Sequence, residues 1–338
     1  MILAAGRGSR MAPLSDSVPK GLIPIAGKTI ITRLIEVLTE SGVESIRLGV
    51  GWKSDLYREH LMELDGTYDL QVVEVKSIER GPLHTLVSTM DPAGDEPFLI
   101  SPVDYITESD IVKQVITAHI DADDSRLATV SVDPLSKDGS SVFVRSNGRV
   151  SGLTKPVVTH DAMYSTAMLT AVNPEAMRFF IEARSSGRIT VIDAINQMIL
   201  NNEKIFSIPI AGRWSDIDTI SSLLTANDMI LDSSPTSSGG CVMVPSGDVM
   251  DFENTVELES GIRFSAGVQI KGPTFIGAGC EIAEDCRIGP NVSMSPDTIV
   301  SRDSTLSRCI LIGPNHIRKG RNIKDSVIYD DAIFKEVA

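Results

Sequence analysis

An α/β domain built on a mostly parallel sheet, followed by a coil of short strands, is the fold class this sequence predicts. Three observations predict it. Strand-like apolar runs alternate with helix-period segments over the first two thirds of the chain. A small polar cluster, Asp232-Ser-Ser-Pro-Thr-Ser-Ser-Gly-Gly240, then interrupts that pattern and reads as a linker. Beyond it, apolar residues recur every six positions from Leu258 to Ile312. The boundaries predicted on this basis are residues 1–231 and 241–338.

The elements follow in order. Met1 to Ala5 is a short apolar run that reads as a strand and opens into Gly6-Arg7-Gly8-Ser9-Arg10. Lys28 to Ser41 reads as an amphipathic helix, because Ile30, Ile31, Leu34, Ile35 and Leu38 recur at helical spacing. Ser45 to Val50 reads as a strand and Asp55 to Leu64 as a helix; further strands are predicted at Leu70–Val75, Pro97–Val103 and Leu127–Val132. Such alternation argues for a Rossmann-like, mostly parallel sheet with helices on both faces. Ligands of such sheets sit beyond the carboxyl ends of the strands. The Gly6 loop lies at the end of the first strand and Asp104 at the end of a later one. Asn147-Gly148, inside the segment from Val142 to Leu153, predicts a plain hairpin turn. Ile220 to Ile230 reads as a helix.

The six-residue period runs through Leu258, Phe264, Ile270, Ile276, Ile282, Ile288, Met294, Val300, Leu306 and Ile312. Two residues before each lies a small or β-branched residue or a cysteine, as at Val268, Cys280, Cys286, Ser304 and Ile310. A helix cannot bury a period of six on one face, and a flat strand wants a period of two. A coil with short strands and regular corners, a hexapeptide β-helix, satisfies it. The stretch resembles the left-handed parallel β-helix, in which three hexapeptides make one triangular turn, and about three turns are implied. Arg318 and Lys324 fall where apolar residues are due, so the final segment is predicted to leave the register and cap the coil. Flat faces and an open coil end need covering, which predicts a homo-oligomer assembled through the β-helix.

The formal net charge is −14, which argues against nucleic acid or an anionic membrane as the main partner. Apolar residues make up 42% of the chain, enough for a sizeable core. Cys241, Cys280, Cys286 and Cys309 show no Cys-x-x-Cys spacing and read as reduced, buried thiols. No run approaches the length of a membrane span, and the first residues lack a signal-peptide pattern. A cytoplasmic protein is predicted.

The chemistry concentrates in the first twenty residues. Gly6 and Gly8 carry no Cβ, so the backbone can turn sharply and bring N–H groups up to an anion. Arg10 offers a planar fork suited to phosphate oxygens, and Lys20 a mobile point charge. The stretch resembles the signature of the sugar-phosphate nucleotidylyltransferases, Leu-Ala-x-Gly-x-Gly-(Thr/Ser)-Arg-(Leu/Met)-x-Pro-Leu and then Pro-Lys. Leu3, Ala4, Gly6, Gly8, Ser9, Arg10, Met11, Pro13, Leu14, Pro19 and Lys20 match it in place. The resemblance implies that Leu3, Ala4, Ala5, Gly6, Gly8 and Ser9 bind nucleotide and that Arg10 and Lys20 are catalytic. The loop from Gly6 to Arg10 would hold the β- and γ-phosphates, and Lys20 the α-phosphate.

The same resemblance assigns further residues. Gly81-Pro82-Leu83-His84-Thr85-Leu86 occupies the place of the base-binding segment, which adds Gly81 to the nucleotide-binding set. Asp104 stands in a context similar to the magnesium-binding aspartate. Arg213-Trp214-Ser215-Asp216-Ile217-Asp218-Thr219 resembles the Trp-x-Asp-x-Gly-Thr block and implies Asp216 as the second metal carboxylate. Asp218 replaces the usual Gly, as in some cytidylyltransferase-like members, and reads as the N-cap of the following helix. Lys155, in Lys155-Pro156 where the family has Glu-Lys-Pro, would contact the sugar phosphate. Thr154, the altered Gly81 segment and Ser165-Thr166-Ala167 depart from the family pattern, mostly in the acceptor half. Family members also carry a few residues before Ile-Leu-Ala-Ala-Gly, implying a short first strand here or a late start site.

The implied reaction is NTP + sugar 1-phosphate → NDP-sugar + pyrophosphate, with Mg²⁺ as cofactor. Two alternatives accompany it. One is a bifunctional enzyme with acetyl- or acyltransferase activity in the β-helix, where His316 is the candidate base. The other is a non-catalytic, nucleotide-sugar-binding regulatory subunit of the kind found in a translation-factor exchange complex. His84 and His160 read as surface residues.

Overall fold

The computed structural model describes residues 1–338 except 65, 91–93, 123–124, 137–138, 155–160, 234–241, 244–248, 251–255 and 337–338. The chain packs as two compact units. The first is Met1–Arg7 with Ile31–Asp216, and the second is Gly8–Ile30 with Ile217–Ala338.

The strands of the first unit are β1 (Ile2–Ala4), β2 (Ser45–Val50), β3 (Asp69–Glu74), β4 (Phe98–Pro102), β5 (Tyr105–Thr107), β6 (Ala128–Asp133), β7 (Ser141–Val144), β8 (Val150–Leu153), β9 (Ala162–Val172), β10 (Ile205–Pro209) and β11 (Trp214–Asp216). Its helices are α1 (Ile30–Glu40), α2 (Ser54–Met62), α3 (Pro82–Thr89), α4 (Ser109–Ile120), α5 (Met177–Ser185) and α6 (Val191–Leu200). A nine-stranded sheet runs in the order β8-β7-β9-β4-β1-β2-β3, with β6 paired to β9 and β10. β1 is parallel to β2 and β4, β2 to β3, and β6 to β10. β9 is antiparallel to β4, β6 and β7, which makes the sheet mixed. β7 and β8 form the predicted hairpin, closed by Gly148 at φ 81° with its N–H on the Arg145 carbonyl at 2.9 Å.

The apolar stripe predicted for α1 is its buried face: Ile30, Ile31, Leu34, Ile35 and Leu38 are all in the core. Burying each such side chain contributes about 1.5–3 kcal/mol. Beneath α3, α5 and α6 lies a second cluster that includes Leu86, Ile100, Val130, Val172, Phe180 and Ile195. The start of α6 is set by Thr190, whose Oγ1 accepts the Asp193 N–H at 3.1 Å while Asp193 Oδ2 accepts the Thr190 N–H at 3.0 Å. Among the described residues no helix is long and apolar enough to cross a membrane.

The second unit holds α7 (Ile220–Ser233) and the coil of short parallel strands. Three strand stacks repeat with a step of 18 residues, as in Val256 opposite Thr274, Arg263 opposite Glu281 and Gln269 opposite Arg287. Eighteen residues are three hexads per turn, as the period predicts. The coil differs from the prediction after Leu306. There the step shortens to 17, pairing Val292 with Cys309, Ile299 with His316 and Thr305 with Asn322. Arg308, at φ 48°, sits in the shortened corner. Cys309 and Leu311 therefore join the interior cluster in place of Ile310 and Ile312, and Ile317 and Ile323 follow them. The predicted loss of the six-residue register at Arg318 and Lys324 is seen, with Ile317 and Ile323 inside instead; the coil itself continues through Asn322–Tyr329, and only Ala332–Phe334 folds back antiparallel on that strand. Cys280, Cys286 and Cys309 are free and buried, and burial pushes the Cys280 and Cys309 thiols up to about 11. Cys241 lies outside the described residues.

One outward face of the coil is apolar and covered. Phe275, Ile310 and Val327 point away from the interior, yet each is at most 2% exposed. α7 packs over Thr305–Ile312 and Asn322–Tyr329. The hairpin formed by Pro24–Ile25 and Lys28–Thr29 packs beside it, with Gly27 against Phe275.

Candidate active site

In the second unit, Gly8 takes φ 65° and starts a single 3₁₀ turn, Ser9–Met11, closed by the Met11 N–H on the Gly8 carbonyl at 2.9 Å. A Cβ at Gly8 would lie 2.9 Å from Lys20 Cγ and 3.0 Å from Lys20 Cε. The glycine therefore does two things: it accepts the left-handed conformation and leaves the space through which the lysine stem runs. Among the described residues, the backbone N–H of Gly8 makes no hydrogen bond, nor do those of Gly6 and Arg7 at the end of the first unit's segment. Amides without internal partners are open to an anion.

Lys20 is 8% exposed, and its Nζ donates to Asp218 Oδ1 at 2.8 Å. Arg10 Nη1 lies 2.5 Å from Asp218 Oδ2. The Arg10 side chain is 70% exposed, so its pairing contributes little, whereas the buried lysine needs its partner. The N-cap role read for Asp218 is therefore corrected, because cations take both of its oxygens. The cap is Thr219: its Oγ1 accepts the Ser222 N–H at 3.1 Å, and Ser222 Oγ accepts the Thr219 N–H at 2.9 Å.

In the first unit, Asp104 lies in the tight turn between β4 and β5, and Asp216 ends β11. β5 and β11 pair antiparallel with Asp216 opposite Tyr105, which brings Asp216 beside Asp104. Their carboxylate oxygens come within 4.8 Å of each other. Two hard oxygen donors at that spacing suit a divalent cation, whose charge would relieve their mutual repulsion. β11 is anchored through Trp214, whose ring centroid is 5.9 Å from that of buried Tyr105 and whose Nε1 donates to Asp133 Oδ2 at 2.8 Å. Burial alone would raise the Asp133 carboxyl. Hydrogen bonds from the Leu135 N–H, Trp214 and the Ser136 N–H together hold it below the usual carboxylate range.

Leu3 and Ala4 lie in β1, and Ala4 and Ala5 are buried. The Ala5 carbonyl accepts the Trp52 N–H at 3.0 Å, and the Arg7 guanidinium lies 4.3 Å above the Trp52 ring. Trp52 was not predicted; its signal was its place just past the carboxyl end of β2. Gly81, at φ 85°, leads into α3, and a Cβ there would meet Ile189 Cγ2 at 2.4 Å and the Ile189 carbonyl at 3.0 Å. Packing alone thus accounts for that glycine. Ser9 opens the 3₁₀ turn of the second unit. Lys155, with Pro156 and His160, lies outside the described residues. His84 Nε2 is 2.8 Å from the Lys76 carbonyl, and His316 Nε2 is 3.1 Å from Ser301 Oγ on an exposed strand of the coil.

Residues 1–185 match the model of the MobA-like NTP transferase domain. The chain is similar to the low-salt glycan biosynthesis nucleotidyltransferase Agl11 of Haloferax volcanii, 26% identical over 72% of this chain and 68% of that protein. It is similar to the probable mannose-1-phosphate guanylyltransferase 2 of Arabidopsis thaliana, 23% identical over 69% of this chain and 65% of that one. It is also similar to the bifunctional protein GlmU of Methanococcus aeolicus, 27% identical over 68% of this chain and 54% of that one. The chain thus spans between about half and two thirds of the length of these relatives. Among solved structures, the inositol-1-phosphate CTP transferase from T. maritima shares the fold, with a TM-score of 0.57 and 16% identity over 69% of this chain and 96% of that one.

Proposed function

Because the chain belongs to the family of MobA-like NTP transferase domains, we propose that it transfers a nucleotidyl group from an NTP to a sugar 1-phosphate and releases pyrophosphate. The observation that carries this reading is Lys20, buried and laid across Gly8 with its ammonium held by Asp218. A lysine kept in a fixed place beside a glycine turn is a preformed cation for a phosphate oxygen.

In the reaction, an acceptor phosphate oxygen attacks the α-phosphorus, and charge grows on the non-bridging and leaving oxygens. Catalysis is therefore positioning and cation placement. The amides of Gly6 and Gly8, with Ser9 and Arg10, would hold the β- and γ-phosphates. Lys20 would exchange Asp218 for an α-phosphate oxygen as charge builds there. The carboxylates of Asp104 and Asp216, within 4.8 Å of each other, fit Mg²⁺ by donor type and spacing. Bound there, the ion would neutralise phosphate charge. Lys155 would clamp the acceptor phosphate, and the segment at Gly81 would face the base. The acceptor class is supported by a relative named for mannose 1-phosphate. Assembly through the coil into a homo-oligomer, in the cytoplasm, completes the reading.

The test is pyrophosphate release with Mg²⁺ and each common NTP against a panel of sugar 1-phosphates. Release with one pair, reduced about 10²–10³-fold in a folded Lys20→Ala variant, is the expected outcome. Equal turnover in that variant would remove Lys20 from the chemistry.

A further inference from the structure

Two elements carry the Lys20–Asp218 pair, and both are tied to one hydroxyl of the coil. From Lys20 the chain continues through the Ile23 N–H, which donates to the Lys20 carbonyl at 3.1 Å, into the hairpin of Pro24–Ile25 and Lys28–Thr29. Ile23 and Ile25 are fully buried, so the segment is held along its length. At its tip the Ala26 N–H donates to Ser293 Oγ at 3.2 Å. From Asp218 the chain enters α7, and Asn227 lies about two turns on. Ser293 Oγ donates to Asn227 Oδ1 at 2.5 Å, and Asn227 Nδ2 donates to the Asn291 carbonyl at 3.2 Å.

Ser293 is the outward residue of Val292–Met294, whose other two side chains fill the coil interior. It is 3% exposed and Asn227 is fully buried. A buried hydroxyl is costly unless partnered. This one accepts once and donates once, and its two partners are the two elements that bear the ion pair. Apolar contact supports the same joint: a Cβ at Gly27 would approach Phe275 Cζ to 2.6 Å, so hairpin and coil meet without a gap. Arg308 fastens α7 to the coil a second time, with Nε 2.7 Å from Asp228 Oδ2 and Nη2 3.3 Å from Thr225 Oγ1.

We infer that Ser293, through Ala26 and Asn227, is a positioning residue that holds Lys20 against Asp218, so the coil sets the geometry of the phosphate-binding segment. The kinetic part of this inference rests on the nucleotidyl-transfer reading; the geometric part does not.

The experiment compares Ser293→Ala, Ser293→Cys and Ser293→Thr in the full chain. Cysteine keeps the volume with a weak donor, and threonine keeps the hydroxyl. Two quantities are read: the rate at which Lys20 is acylated by an amine-reactive ester, followed by mass spectrometry, and kcat with KM for each substrate. The expected result is Lys20 labelling about tenfold faster and kcat about tenfold or more lower in the alanine and cysteine variants. The acceptor KM should stay within about twofold, with both effects reversed by threonine. Should the alanine variant fail to fold, the near-isosteric cysteine variant decides. Unchanged labelling in a folded alanine or cysteine variant overturns the inference. If the wild-type protein releases no pyrophosphate with any pair, the reaction assignment falls, and the labelling rates alone decide the positioning role.

Discussion

The two units place their charged groups by different means. In the first, Asp104 and Asp216 are set by backbone register: β5 pairs with β11, and the acids follow from which residues stand opposite. In the second, Lys20 and Arg10 are set by side chains that reach across long stretches of sequence, 198 residues in the case of Lys20 and Asp218. Register is robust to loss of one side chain, because the ladder of backbone hydrogen bonds remains. A side-chain network is more sensitive, because loss of one member removes a contact that orients the next. The acids should thus tolerate conservative change structurally and fail chemically, and the cations should be sensitive to packing changes at a distance.

The largest test of the first half of that contrast is Asp104→Asn or Asp216→Asn. Each keeps shape and removes one negative charge from the pair. Both variants should keep the thermal midpoint of the parent and lose about a hundredfold in turnover, with the divalent-ion requirement shifted to higher concentration. A metal titration of pyrophosphate release checks this. An unchanged titration would mean the pair does not hold the ion.

The two glycines of the loop sharpen the second half. Gly8 has a positive φ and Lys20 where its Cβ would go, whereas Gly6 has nothing within 4 Å of that position. Gly8→Ala should cost about 1–2 kcal/mol of stability from conformation alone and also displace the Lys20 stem. Gly6→Ala should change stability by no more than about 0.5 kcal/mol, so any loss of nucleotide affinity there is local to the loop. Denaturant melts of the two variants, run beside nucleotide titrations, separate the roles. Equal stability losses would mean that the space beside Gly8 is not what the lysine uses.

How far the sequence could be read follows the same division. The strands and helices of the first unit were legible because burial periodicity is local; Asp104 was legible from its place at a strand end and its family-like context, and Asp216 only from the resemblance of its block to the family pattern. The antiparallel course of β9 was not, since direction is a pairing property. The six-residue period marked the coil as far as Leu306. Counting ran past it to Ile312 because one residue is missing from the corner at Arg308, and the trace of that loss, Arg318 and Lys324 off register, appears only downstream. Asp218 looked like a helix cap because the residues around it permit a cap, and the lysine that claims it lies near the other end of the chain. Ser293 was invisible for the same reason: a hexad position that faces outward carries no pattern that says what packs on it.

The smallest expected effect concerns the anchor of β11. Asp133 accepts hydrogen bonds from Trp214 at 2.8 Å, from the Leu135 N–H at 2.8 Å and from the Ser136 N–H at 3.1 Å. These hold its carboxyl below 3.8, the value of an unperturbed group, despite the opposing effect of burial. A carboxyl depressed on folding contributes stability that is present above the unfolded value and is lost as pH falls through the folded one. Asp133→Asn keeps an acceptor and removes the charge. The stability gap between parent and variant should therefore be constant from neutral pH down to about pH 5 and close as pH drops through and below 3.8. Denaturant midpoints measured across that interval give the answer. Asp133 is partly exposed, so the gap is small. A gap that persists undiminished at the acid end would show that Trp214 is held by packing on Tyr105 rather than by this carboxylate, and register alone would then account for the placement of Asp216.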